Sequence, residues 1–161
     1  MDWNELQQAV IAQFRLPRGR SAHAEDHWER VAKYGLHIAT ETGADIMVVR
    51  LFALLHDSQR FEESYDPEHG PRAARYARRL CGSAFELEPE RLELLALACE
   101  DHDRGRTSTD LTIGTCWDAD RLDLDRVAIT PKSAYMSTIP GRKLADLHAY
   151  QRQKLVGIAH R

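Results

Sequence analysis

His56 and Asp57 stand side by side at the end of an apolar run from Ile46 to Leu55 that only Arg50 interrupts. A run of that length and composition reads as a helix buried on most sides, whose C-terminal end presents an imidazole and a carboxylate together. The carbonyl end of a helix carries partial negative charge, so the backbone also favours a cation there. The pair is therefore a candidate metal-ligand doublet. A buried ion pair, or a histidine cation capping the helix, would use the same two residues.

Four more polar residues fall on the apolar faces of their own segments. His27 shares a stripe with Val31, Tyr34 and Ile38, which follow it by four, seven and eleven residues and so lie on one helical face. Asp120 shares its face with Ile113, Trp117 and Leu124, and a carboxylate in such a stripe is costly unless a cation, a metal or a set of donors compensates it. His102 extends the stripe of Leu95 and Ala98, and His69 sits one turn before Ala73 and Ala77. Taken singly, each histidine also fits a core position satisfied by a carbonyl. Together, inward His27, His56, Asp57 and Asp120 make a mixed nitrogen and oxygen set suited to Mn²⁺, Fe²⁺, Co²⁺ or Zn²⁺. The segment His23-Ala24-Glu25-Asp26-His27 is not the zinc-protease motif, which requires Glu directly after the first His.

Helical periodicity dominates the elements that must position these residues, and no segment alternates over enough residues to read as a strand. The expectation is an all-α fold of about six to seven helices. Helices are expected over Trp3 to Phe14, Ser21 to Thr42 with Ser21 as N-cap and Gly43 as stop, and the buried Ile46 to Leu55 segment. Further helices are expected from Pro71 to Leu80, Pro89 to about Asp101, Leu111 to about Asp125, and Arg142 to about Ile158. Phe61 to Gly70 reads as a loop, and Ala128 to Gly141, with Pro131 and Pro140, as an extended crossing segment. Trp28 and Trp117 read as packing residues, and Arg72, Arg75 and Arg79 as the wet face of their helix.

A chain of 161 residues suits one domain, expected here over 1–161, which would bury roughly 70% of its unfolded surface. A net charge of −3 gives no general attraction to nucleic acid or to an anionic membrane, so neither is expected as a partner. Cys81, Cys99 and Cys116 form no C-x-x-C pair and read as reduced thiols of a cytoplasmic protein. The early acid in Met1-Asp2-Trp3 does not read as a secretory signal, and no stretch approaches the ~20 apolar residues of a membrane span.

With His27-Trp28-Glu29-Arg30-Val31, then Leu54-Leu55-His56-Asp57, then Trp117-Asp118-Ala119-Asp120-Arg121-Leu122-Asp123, the chain resembles the HD-domain metal-dependent phosphohydrolases over roughly residues 21–126. Their pattern is a histidine, an adjacent His-Asp and a distant aspartate, in that order. The resemblance implies an all-α HD fold and a divalent metal (Mn, Fe, Co, Zn or Mg) on His27, His56, Asp57 and Asp120. It selects Asp120 over Asp118 and Asp123, and leaves Asp123 to orient a neighbour. His69 and His102 fall where two-metal members place additional histidines, although Asp101 stands where a doubled histidine is often found.

Such an ion generates a nucleophile from bound water near neutral pH and offsets charge on a phosphoryl oxygen. Asp57 is then both ligand and orienter of the attacking water, while Arg30, Arg60 and Arg104 are candidate phosphate clamps. The resemblance to short, stand-alone members implies a small phosphorylated substrate, foremost a nucleotide, and pyrophosphohydrolase or nucleotidase activity. Two other classes share the residues: an HD-fold oxygenase with two irons, and a non-catalytic metal- or nucleotide-binding regulatory module. The loops Phe61 to Gly70 and Gly105 to Asp110 are the expected seats of specificity.

Overall fold

A computed structural model describes residues 1–159. The expected domain span also takes in His160 and Arg161, which lie outside the described residues. Among the described residues there are eight α-helices and no named strand. The all-α expectation therefore holds, with one helix more than the expected range.

Helix α1 (Trp3–Gln13) starts at Asp2, whose carboxylate accepts from the backbone N–H of Asn4 and Glu5. Helix α2 (Glu25–Thr42) ends at Gly43, at φ 72°, the left-handed conformation that glycine adopts without a Cβ penalty. Its start differs from expectation. Ser21 accepts instead from the N–H of His23 in a preceding turn, so the helix begins four residues later than the periodicity suggested. Helix α3 (Ile46–Leu55) is capped by Asp45, which accepts from Met47 and Val48 and pairs with Arg91. Its Val48, Val49 and Leu51 to Leu55 are all buried, which makes it the central helix of the core.

Helices α4 (His69–Leu80) and α5 (Pro89–Asp101) make the most extensive packing of any pair, while α2 packs on both α3 and α6 (Leu111–Leu122). Two glycines permit close approaches. A Cβ on Gly35 of α2 would fall 2.5 Å from the Val49 side chain, and one on Gly70 only 2.6 Å from the Glu100 carbonyl oxygen. The second approach draws the start of α4 against the end of α5, where His69 and His102 sit. Helix α4 includes His69 and Gly70, two residues earlier than expected. Arg72 leaves the expected wet face: it pairs with Asp66, donates to the Gln59 carbonyl and stacks 3.9 Å from the Phe61 ring centroid.

Helix α6 stops at Leu122, short of the expected Asp125. The Asp123 N–H reaches back to the Asp120 carbonyl at 3.1 Å, a tightening that passes into a 3₁₀ turn over Leu124–Val127. The segment after it carries a second short turn, Ser133–Tyr135, before α7 (Ile139–Ala145). The expected single C-terminal helix is thus two, α7 and α8 (Ala149–Leu155). The physical reason is buried Arg152, which donates to the Leu144 and Leu147 carbonyls at 3.1 and 2.8 Å and pairs with Asp125. It ties the turn between the two helices, adding a side-chain donor to the Leu144 carbonyl, which also accepts from the Leu147 N–H at 3.2 Å. No helix among the described residues is long and apolar enough to cross a membrane.

Candidate metal centre

The ends of five helices bring one buried polar cluster of six residues together. His27 comes from the first turn of α2, His56 and Asp57 from the end of α3, His69 from the start of α4, His102 from the end of α5, and Asp120 from the last turn of α6. All six are buried. Three overlapping groups within it have ligand atoms mutually within 4.8 Å: His27, His56 and Asp57; His56, His102 and Asp120; and Asp57, His69 and His102.

The imidazoles are oriented by their outer nitrogens. Nδ1 of His56 lies 3.0 Å from the Phe52 carbonyl, Nδ1 of His69 2.5 Å from the Asp66 carbonyl, and Nδ1 of His102 2.7 Å from the Cys99 carbonyl. A carbonyl only accepts, so each Nδ1 carries a proton and each neutral ring turns a lone pair inward on Nε2. Nδ1 of His27 meets the Asp123 carboxylate at 2.7 Å, with the same result. The inward nitrogens then face one another, His27 Nε2 to His56 Nε2 at 3.1 Å and His69 Nε2 to His102 Nε2 at 2.9 Å. Two lone pairs at such distances repel unless a cation or proton lies near both. Histidines fixed through Nδ1 by a carbonyl or carboxylate, with Nε2 free, are in the form that metal ligands take.

Asp57 stands between the two pairs. Its Oδ2 is 3.6 and 3.7 Å from Nε2 of His27 and His56, and its Oδ1 is 3.3 and 3.5 Å from Nε2 of His69 and His102. Asp120 Oδ1 lies 3.2 Å from His27 Nε2 and 3.6 Å from His56 Nε2, yet it is a buried oxygen without a hydrogen-bond partner. The donor set therefore fits a divalent cation: buried carboxylate oxygens and imidazole nitrogens converge with too few protons between them.

The electrostatics point the same way. Burial opposes the ionised form of Asp57 and Asp120, but the surrounding histidines outweigh it and hold both carboxyls well below their usual range. Burial and the neighbouring His102 push His69 down to about 4. Burial also lowers His56, despite the nearby carboxylates. For His27 and His102 burial is overcome by Asp120 and Asp123 in one case and Asp57 in the other, and both are raised.

Around the cluster, Arg30 grips Asp123 with two nitrogens at 2.7 and 3.0 Å, so it acts on His27 through that carboxylate. Arg60 donates to Asp57 Oδ1 at 3.1 Å and to the Glu62 carbonyl at 3.2 Å. Arg104 is half exposed and pairs with Asp101 at 3.1 Å. Asp118 turns away from the cluster and accepts from the backbone of Ser137 and Thr138, separating it from Asp120 as the stripe on α6 implied. Asp123→Asn keeps the shape of the side chain but weakens its hold on His27 Nδ1. It is expected to lower metal affinity about 10- to 100-fold, read by titration with Mn²⁺; unchanged affinity would show that His27 is oriented by packing alone.

A cavity of about 600 Å³ opens beside the cluster, with His23, Asp57, Arg60, His102 and Asp120 on its inner side. Glu63, Ser64 and Gly105 come from the two loops expected to govern specificity, but a larger share of the wall comes from residues 124–136. Sequence reasoning missed that share because an extended segment has no periodicity to show which side faces inward. It also passed over His23, whose Nδ1 is 2.6 Å from Asp57 Oδ2 and whose Nε2 is 3.2 Å from the Glu63 carbonyl. The available signal was its placement four residues before His27, set aside with the protease motif.

No family model matches the chain, and no curated protein matches it. Among solved structures, the chain is similar to the crystal structure of a predicted HD superfamily hydrolase from an uncultured Thermotogales bacterium. The match has a TM-score of 0.71 and 27% sequence identity, covering 96% of this chain and 87% of the other.

Proposed function

We propose that this chain, similar in fold to a predicted HD superfamily hydrolase, acts, as one domain, as a metal-dependent phosphohydrolase on a small phosphorylated metabolite, foremost a nucleotide. The observation that carries this reading is the pair of facing Nε2 contacts, 3.1 Å for His27 with His56 and 2.9 Å for His69 with His102, on either side of Asp57. His27, His56, Asp57 and Asp120 would hold one ion, and His69 and His102 a second, with one Asp57 oxygen directed toward each pair. A divalent ion bound there supplies Lewis acidity, which makes water a nucleophile near neutral pH and offsets charge on a phosphoryl oxygen.

The chain's own residues supply the rest. Asp57 is oriented by Arg60 and His23 and kept ionised by His56, His102 and His23, so its free lone pairs are fixed before substrate arrives. Asp123, itself gripped by Arg30, fixes His27. The cavity volume of about 600 Å³ is in the range of small-molecule sites, and its mixture of cations and apolar side chains favours a substrate with one charged and one apolar part. Three free cysteines accord with work in the cytoplasm.

The test is an assay of the Mn²⁺- or Co²⁺-loaded protein against nucleoside mono- and triphosphates and simple phosphomonoesters, with products identified. Orthophosphate or pyrophosphate should be released, and His56→Ala should release neither. Equal turnover by metal-stripped protein refutes the reading. The six-residue cluster would also accommodate two irons, and oxygen consumption by iron-loaded protein without phosphate release would replace the hydrolase with an oxygenase.

A further inference from the structure

The three arginines considered from sequence are all engaged with carboxylates: Arg30 with Asp123, Arg60 with Asp57, and Arg104 with Asp101. Two others lining the cavity are held differently. Arg126 donates from Nε to the Ala22 carbonyl at 2.9 Å and from Nη1 to the Asp123 carbonyl at 3.2 Å. Its Nη2 is left 4.0 Å from Asp57 Oδ2, beyond hydrogen-bond reach, on a side chain only 10% exposed. Arg121 donates from Nη1 to the Tyr135 carbonyl at 2.7 Å, while its Nη2 is buried with no partner. Its residue exposure is 7%.

Burying a guanidinium is costly, and carbonyl acceptors offset its charge less than a hydrogen-bonded carboxylate would; Arg126 keeps only the 4.0 Å approach to Asp57. An anion entering the cavity would relieve that cost. Both guanidiniums already have one edge fixed, so little side-chain freedom would be lost on binding. The same cavity is also lined by the apolar Leu124, Val127, Ile129, Pro131, Tyr135 and Met136.

We propose that Arg121 and Arg126 form the substrate-phosphate subsite, beside Asp57 and Asp120, and that the apolar side chains of the 124–136 segment receive the uncharged part of the same molecule. The favoured ligand is a phosphoester or phosphoanhydride with an apolar or aromatic face, rather than a bare polyphosphate. The proposal rests on the phosphohydrolase reading for the identity of the anion, and the test separates the two.

Inorganic phosphate is titrated calorimetrically into the Mn²⁺-loaded protein and into Arg126→Met, Arg126→Lys, Arg121→Met and Arg121→Lys, with metal content and melting temperature measured on each. Losing one charge-assisted donor group should weaken phosphate binding about 10- to 100-fold in Arg126→Met, with full metal content and partial recovery in Arg126→Lys. Arg121→Met also breaks the Tyr135 tie, so Arg121→Lys, which retains a charge, supplies the reading if the Met variant does not fold. Phosphate binding absent from the wild type, or within twofold of the wild type in Arg126→Met, overturns the subsite. Arginine-dependent phosphate binding without hydrolysis of any phosphate ester leaves the subsite standing and removes the proposed activity.

Discussion

Asp57→Ala is expected to lose hydrolysis by about 1000-fold or more, the equivalent of about 4 kcal/mol of transition-state stabilisation, and to lose metal in both halves of the cluster at once. The reason is its position. One oxygen faces His27 and His56 and the other faces His69 and His102, at 3.3 to 3.7 Å. Removing it would also strip Arg60 and His23 of their shared carboxylate and leave two cationic or polar groups at the cavity wall without their partner. Asp57→Asn keeps shape and one oxygen, so it should retain part of the metal while losing most of the rate. The check is metal content by mass spectrometry beside turnover. A protein that keeps its full metal complement in Asp57→Ala would show that Asp57 is not shared between the two histidine pairs.

The second large effect is on stability. Metal should raise the melting temperature of this protein by about 5 to 10 °C when present at about 100 times its dissociation constant. That concentration contributes about 2.7 kcal/mol, and each kcal/mol shifts a domain of this size by about 2 to 4 °C. Two features make the metal-free protein unusually responsive. Its ionised Asp57 and Asp120 are buried, and paired Nε2 lone pairs face each other without a proton between them in the neutral rings. A cation relieves both at once. A chelator should reverse the shift, and His56→Ala should abolish it. A melting temperature indifferent to Mn²⁺, Co²⁺, Zn²⁺ and Fe²⁺ would mean that the cluster is a structural hydrogen-bond network.

Much of the cluster was visible before any coordinates, because a helix converts sequence spacing into direction. His27 on the Val31 stripe, Asp120 on the Trp117 stripe and His56-Asp57 at the end of the apolar run each had to face inward, and the structure brings them together with His69 and His102. Spacing also separated Asp120 from Asp118. It could not say what held each imidazole. The Nδ1 partners of His56 and His102 are carbonyls of their own helices, which any helix end offers, but Asp123 reaches His27 across 96 positions because α6 packs on α2.

Cations show the boundary most clearly. From sequence, Arg30, Arg60 and Arg104 were the candidates because they lie near the histidines along the chain. In three dimensions a carboxylate occupies each of them, whereas Arg121 is held by the Tyr135 carbonyl and Arg126 by those of Ala22 and Asp123. Likewise, the turn between α7 and α8 is held by Arg152 reaching the Leu144 and Leu147 carbonyls, and nothing in the local periodicity marks it.

By itself, then, the sequence determined the helical class, the central buried helix and the inward faces that carry the two carboxylates and four imidazoles. Only the tertiary structure decided which nitrogens face one another, which arginines are held by carbonyls rather than by a hydrogen-bonded carboxylate, and that residues 124–136 wall the cavity. The physical reason is that periodicity reports how a side chain points relative to its own helix axis, whereas charge compensation and hydrogen bonding depend on how separate elements are packed.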